Sequence, residues 1–274
     1  MSDPAGPAGV RDLLRELSPV LVAFSGGVDS TVLLKLALDE LGPEGVLAVT
    51  AHGDVHTTEE LGAAREAAAR LGARHVVVIT NELAVPGFAT NPPERCFLCR
   101  SSMYQRFLEI AREEGIKTVV DGTNRDDGSD YRPGVRAAAT LGVRSPLAEA
   151  GMSKDDIRAL AKETGLSNWD MPSSPCLSSR FPYGETITPP KLRAVADAER
   201  FLREMGFQSV RVRHHGDIAR IEVAAEDIPR MAEASARHAI VKFLRELGYV
   251  YVALDLQGFR SGSLNDALRR TAAL

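Results

Sequence analysis

A chain of 274 residues, 44% hydrophobic and 26% charged, is long enough to bury one large core or two smaller ones. Its net charge of −4 provides no basic field for nucleic acid or a membrane surface, and no apolar run nears the roughly 18 residues of a membrane span. The opening residues, with Asp3 and Pro4 where a signal peptide is basic and then apolar, predict no secretory leader and a cytoplasmic location.

Residues 1–9 are rich in Pro and Gly and predict a frayed start, followed by a short helix at 10–17 that Ser18-Pro19 stops. The apolar run Val20–Ala23 predicts a buried strand. Phe24-Ser25-Gly26-Gly27-Val28-Asp29-Ser30 then turns into a helix that runs through residues 31–41. A helix start exposes backbone N–H groups and the positive end of the dipole, which makes it an anion site. Gly26 and Gly27 permit positive φ and close backbone approach, and Ser25 and Ser30 add hydroxyls. A pyrophosphate-sized anion fits this turn; the alternative, an ordinary βα turn, leaves the coincidence of small, hydroxyl and acidic positions without a reason.

Further along, residues 45–51, 74–80 and 117–121 predict strands, and residues 58–71 and 99–115 predict helices. The connection at 81–95 carries Pro86, Gly87, Pro92 and Pro93 and predicts a functional loop. This alternation predicts an α/β fold with a doubly wound parallel sheet, whose ligands bind beyond the carboxyl ends of the strands. Residues 122–134 form a polar, turn-rich segment, and with the end of the preceding strand they offer Asp121, Asn124, Asp127 and Arg132 as a second ligand-facing loop; ordinary solvation explains the same composition. Residues 151–165 predict a helix with Ser153 as N-cap, Asp156 in capping-box position and Gly165 at its end. After the irregular stretch 172–184 come a helix at 188–206, a hairpin at 209–213 and Ile218–Val223, a helix at 226–247 and a strand at 249–254. The expected organisation is a domain of residues 1–184 and a smaller C-terminal α+β domain of residues 185–274 for substrate binding and oligomerisation.

Three cysteines, Cys96, Cys99 and Cys176, are too few and too odd in number for a secreted disulfide framework. A C-x-x-C pair with a distant third points to a metal or redox site, or to small buried hydrophobes. Zinc lacks an evident fourth ligand. His52 and His56, an i, i+4 pair, read as lining a βα loop, and Trp169 as packing near the loop of Cys176.

The run SGGVDS resembles the PP-loop of the ATP pyrophosphatase family (adenine nucleotide alpha-hydrolase-like), and lacks the Lys-Ser/Thr ending of a Walker loop. Over nearly its whole length the chain resembles the LarE branch, through SGGVDS, DGTNRDD with DYRPG, SPL, GMSKDDIRALAKETGL and PSSPCLSSRFPYGETIT. That resemblance implies an ATP-dependent sulfur transferase. It would adenylate the carboxylates of pyridinium-3,5-biscarboxylic acid mononucleotide, release pyrophosphate and leave thiocarboxylates, as in making the nickel-pincer nucleotide of lactate racemase. It implies ATP at Ser25, Gly26, Gly27, Asp29 and Ser30, with Mg²⁺ on Asp29; a first-turn acid that complements the helix dipole is the other reading of Asp29. Cys176 matches the sulfur-supplying cysteine. With Cys96 and Cys99 beside it, the chain resembles the three-cysteine subgroup, in which the three thiolates hold a [4Fe–4S] cluster renewed from a sulfide source. Arg211 and Arg213 match positions that bind the substrate's phosphate, and alternate residues of a strand share a face; ordinary salt bridges on that face are the alternative. Arg180, four residues past Cys176, is a further substrate candidate, with Glu199 and Glu222 as partners. The resemblance also implies a homo-oligomer. A tRNA thiolase of the same loop type is the rival enzyme, and 33 basic against 37 acidic residues disfavour it. A non-catalytic ATP sensor is the rival from another class.

Overall fold

The computed structural model describes residues 6–129, 133–172, 174–260 and 262–265. It divides the chain into two compact units, one of residues 1–88 and 93–174, the other of residues 89–92 and 175–274. The expected division at 184/185 therefore falls ten residues earlier, and Cys176 travels with the second unit.

In the first unit, α1 (Gly6–Leu17) leads into β1 (Val20–Ala23), α2 (Val28–Leu41), β2 (Val46–His52), α3 (Thr58–Arg70), β3 (Arg74–Ile79), α4 (Arg95–Glu113) and β4 (Thr118–Asp121). Short helices α5 (Pro133–Thr140) and α6 (Pro146–Glu149) precede α7 (Lys154–Glu163). The strands form one parallel sheet in the order β3-β2-β1-β4. Alternate strand residues feed opposite faces. Val20, Val22, Val46, Ala48 and Val120 pack with α1, α2, α3 and α7, while Leu21, Leu47, Val49 and Val119 pack with α4 and α5. The chain runs from β1 outward to β2 and β3 and returns to place β4 on the other side of β1. That reversal opens a crevice at the carboxyl ends of β1 and β4, the place where a doubly wound sheet takes its ligand.

Two helices depart from expectation. α1 begins at Gly6, because its amphipathic face already buries Gly9 and Val10. α4 begins at Arg95 rather than residue 99: Pro93 is the last breaker, and from there Tyr104, Phe107 and Ala111 recur at helical spacing on the core. Both cysteines of the C-x-x-C pair thus lie in the helix, where the expected start included Cys99 alone.

The second unit holds α8 (Pro189–Glu204), β5 (Val210–His215), β6 (Ile218–Val223), α9 (Ile228–Ala232), α10 (Ala234–Glu246) and β7 (Tyr251–Leu254). β5 and β6 form an antiparallel hairpin, and β7 lies parallel to β6. The single helix expected at 226–247 is two, interrupted by the extended backbone of Glu233 (φ −59°, ψ 147°). Ala198, Leu202, Val210, Val212, Ile221, Ile240 and Leu244 form this unit's own core. Residues 89–92 join it through buried Asn91, whose side-chain amide donates to Phe181 O and Pro182 O and whose carbonyl accepts from Gly184 N. Among the described residues no helix is long and apolar enough to cross a membrane.

Candidate functional site

β1 ends in the glycine turn at the crevice, and α2 begins at Val28 with Gly27 as an N-cap that has no side-chain cap. The helix's first donors are therefore open to an outside acceptor. Gly26 adopts φ +76°, and a Cβ there would stand 2.8 Å from the Ala64 backbone of α3, so only glycine fits. The loop holds itself with long bonds. Ser25 N donates to Ser30 Oγ at 3.3 Å, Gly27 N to Ser25 Oγ at 3.3 Å, and the two hydroxyls lie 3.1 Å apart. Bonds at the long end of the normal range exchange readily for a charged acceptor. Ser25, Gly26, Gly27, Asp29 and Ser30 are thus together at one helix start.

The loop beyond β4 abuts this turn, since a Cβ on Gly122 would meet Ser30 N at 2.9 Å. Buried Asp121 anchors it, accepting from Tyr104 Oη (2.6 Å), Thr123 N and Oγ1 (3.1 and 2.9 Å) and Ser145 Oγ (2.7 Å). Asn124 N donates to Asp127 Oδ2, and Asp126 N to Asn124 Oδ1, which shapes the turn. Asp126 in turn accepts from Lys154 N at 2.8 Å, fixing the start of α7. The expected capping box is present there: Ser153 Oγ accepts from Asp156 N and Asp156 accepts from Ser153 N. Asp127 is brought within electrostatic reach of Asp29; Arg132 lies outside the described residues.

Two groups that the sequence reading did not single out complete this side. Lys154 Nζ contacts Asp29 Oδ2 at 2.5 Å, while Asp29 Oδ1 is buried with no hydrogen-bond partner. Burial pushes the Asp29 carboxyl above its ordinary value, Lys154 works against that rise, and Asp127 adds to it. Asn168 donates to Gly26 O and Thr31 Oγ1, both at 2.9 Å, and so clamps the loop to α2. An unpartnered carboxylate oxygen is what a hard, oxygen-preferring cation requires, so Asp29 fits Mg²⁺.

On α4, Cys96 and Cys99 are half-buried and one turn apart, so their thiols leave one side of the helix. Arg95 Nη2 lies 3.9 Å from Cys96 Sγ. Cys176, also half-buried, is N-cap of the 3₁₀ turn Leu177–Arg180 in the second unit. Each of the three is a thiol and not half of a disulfide. Within either unit, no three His, Cys, Asp or Glu side chains converge as a metal site among the described residues.

The second unit gathers the predicted arginines. Arg180 (2% exposed) forks onto Glu199 (1% exposed) at 2.8 and 3.1 Å, and donates to Pro175 O, Cys176 O and Ser179 Oγ. Arg213 forks onto Glu222 at 3.0 and 2.8 Å and donates to Ser179 O and Ser263 Oγ. Arg211 is buried, stacks 5.2 Å from the Phe259 ring centre and donates to Val210 O. Burial first, then the charge of Arg180, pushes its guanidinium down to about 10. His52 and His56 face each other at 6.2 Å beside buried Glu82, and in the first unit Lys162 lies over the ring of Trp169.

The asparagine synthase family matches residues 8–124, the stretch from α1 through the loop beyond β4. A protein of Lactiplantibacillus plantarum named pyridinium-3,5-bisthiocarboxylic acid mononucleotide synthase is 44% identical over 257 residues, 94% of this chain and 92% of its own. An uncharacterized protein of Synechocystis sp. is 44% identical over 261 residues, 95% and 97% of the two chains. An argininosuccinate synthase of Synechococcus sp. is 31% identical over 162 residues, 54% of this chain and 40% of its own.

Proposed function

The chain belongs to the family of pyridinium-3,5-bisthiocarboxylic acid mononucleotide synthase, the LarE branch of the PP-loop enzymes, and on that premise we propose that it uses ATP to exchange carboxylate oxygen for sulfur on pyridinium-3,5-biscarboxylic acid mononucleotide. The product would be the precursor of the nickel-pincer nucleotide of lactate racemase. The observation that carries this reading is a glycine turn at an uncapped helix start in a chain alike to a named thiocarboxylate synthase along almost all of both lengths.

A carboxylate is a poor electrophile. Its oxygen attacks the α-phosphorus of ATP, the bond to the β-phosphate breaks, and pyrophosphate leaves with the charge that builds on it. Ser25, Gly26, Gly27 and Ser30 meet that charge with backbone N–H and hydroxyl donors. Asp29 would hold Mg²⁺, which neutralises the phosphates. The acyl adenylate then accepts sulfur at its carbonyl carbon, and AMP departs. Cys96, Cys99 and Cys176 would hold a [4Fe–4S] cluster, which supplies a renewable sulfur donor fed by a sulfide source. Three thiols, two of them one turn apart on α4, support that donor set.

The substrate's phosphate falls to Arg211 and Arg213. Five guanidiniums, Arg180, Arg203, Arg211, Arg213 and Arg220, gather around Glu199 and Glu222; burial first and then its positive neighbours depress Arg211, and a bound phosphate would relieve the second of these. A homo-oligomer and a cytoplasmic location belong to the same reading.

The test is direct. Protein purified without oxygen is assayed for iron and labile sulfide, then incubated with ATP, sulfide and the biscarboxylate mononucleotide. AMP, pyrophosphate and a product carrying one or two oxygen-to-sulfur exchanges are expected. Intact ATP would overturn the transferase reading; absence of iron would overturn the cluster and return Cys176 to the role of consumed sulfur donor.

A further inference from the structure

The ion pair of Asp29 and Lys154 joins the glycine turn to a residue 125 positions away, and its chemistry is unbalanced on both sides. One Asp29 oxygen holds Lys154 at 2.5 Å while the other is buried and unpartnered, so the lysine satisfies only half of the carboxylate. Asp127 adds a second negative charge nearby. On the opposite side, Arg158 follows Lys154 by one turn on the same face of α7; its charge also acts on Asp29, and its Nε is buried without a partner. Asp29 beside the start of α2 thus holds one cation, Lys154, in contact and lies within electrostatic reach of a second carboxylate, Asp127, and a second cation, Arg158.

We propose that Lys154 is an exchangeable counter-ion: it neutralises Asp29 while the turn is empty, and it passes to the pyrophosphate end of ATP when a divalent cation takes Asp29. The inference rests on the reading of the turn as a Mg²⁺-pyrophosphate site. A divalent cation on Asp29 Oδ1 supplies more charge than the lysine does, and it uses the oxygen that Lys154 leaves unmet. Lys154 then loses its partner at the moment a multiply charged anion arrives beside it. Its stem is flexible and its head only partly exposed, so the swing needs no movement of α7, whose start is fixed by Ser153, Asp156 and Asp126. Arg158 stays behind as the fixed charge of that face. The consequence is ordered loading: metal alone competes with Lys154 and binds poorly, whereas metal with pyrophosphate gives both partners a new ion.

The experiment compares the full-length wild type with Lys154→Met and Lys154→Arg, each checked for fold by circular dichroism. Mn²⁺ binding to nucleotide-free protein is followed by electron paramagnetic resonance, and inorganic pyrophosphate binding with Mg²⁺ by calorimetry. Lys154→Met is expected to bind Mn²⁺ alone about tenfold more tightly and Mg²⁺-pyrophosphate about tenfold more weakly, with Lys154→Arg close to wild type on pyrophosphate. Folded Lys154→Met with wild-type affinity in both titrations would overturn the exchange. Asp29→Asn separates the two levels. If wild type binds Mg²⁺-pyrophosphate and Asp29→Asn does not, the site stands and Lys154 is judged by its own variants; if wild type fails to bind, the pyrophosphate reading of the turn falls with it.

Discussion

Replacing Glu199 by glutamine tests whether the arginine cluster of the second unit is held up from within. The Glu199 carboxylate accepts four hydrogen bonds: two from Arg180 at 2.8 and 3.1 Å, one from Arg203 at 2.7 Å and one from Val212 N at 3.1 Å. Glutamine keeps one acceptor, removes the charge and turns an amide N–H₂ toward a guanidinium. Arg180, 2% exposed, is then a buried cation with no carboxylate, beside an Arg211 already depressed to about 10. Removing one partner of a buried pair costs about 3–5 kcal/mol. A domain is stable by roughly 5–15 kcal/mol, so this loss takes a large share. For a unit of this size each kcal/mol lowers Tm by roughly 4–8 °C, so a drop on the order of 15 °C is expected for the transition of the second unit. Differential scanning calorimetry reads that transition, and hydrogen exchange at Val212, whose N–H loses its acceptor, reads it locally. The double variant Glu199→Leu with Arg180→Met removes both charges and should recover most of the loss. A loss in Glu199→Gln below about 1 kcal/mol, or a double variant no better than the single, would refute the reasoning.

Three further outcomes are expected. Gly26→Ala places a Cβ 2.8 Å from the Ala64 backbone at φ +76°, so ATP binding measured by calorimetry should fall at least tenfold while the circular dichroism spectrum is retained. Asn168→Ala removes two bonds of about 1 kcal/mol each, so the Tm of the first unit should fall by roughly 4–8 °C and the KM for ATP should rise roughly tenfold; an unchanged KM would deny the clamp. Burial would raise the Glu199 carboxyl, but the charge and hydrogen bonds of Arg180 outweigh it and hold the folded value below the ordinary 4.5. Its contribution is therefore complete above pH 4.5 and lost as pH falls through the lower folded value, so acid titration should destabilise wild type more steeply than Glu199→Gln below that pH.

What the amino-acid order made legible was local. The buried runs at Val20–Ala23 and 45–51, the glycine turn between strand and helix, the Ser153–Asp156 capping box and the hairpin of β5 and β6 each declare themselves within about fifteen residues. The parts that escaped depend on distance along the chain. Lys154 meets Asp29 across 125 positions and Asn168 meets Gly26 across 142, and neither residue type is unusual where it stands. The start of α4 was missed because the proline-rich connection was extended to Arg95, although no breaker follows Pro93. Pro182 looked like the natural end of the first domain, yet Asn91 ties Phe181, Pro182 and Gly184 into the second unit, which no composition shift announces.

That placement changes what Arg180 and Arg213 do. Both were expected to reach toward substrate, and both have donors on the backbone around Cys176: Arg180 on Pro175 O at 2.6 Å and Cys176 O at 3.2 Å, Arg213 on Ser179 O at 2.8 Å. The four-residue 3₁₀ turn carries two backbone bonds of its own, Ser179 N to Cys176 O and Phe181 N to Ser178 O, and two buried guanidiniums, themselves braced by Glu199 and Glu222, add the side-chain bonds that fix it in place. On the proposed reading Arg211, whose charge burial and Arg180 already oppose, gains most from an incoming phosphate, and Arg213 shares that anion while also bracing, with Arg180, the turn of Cys176.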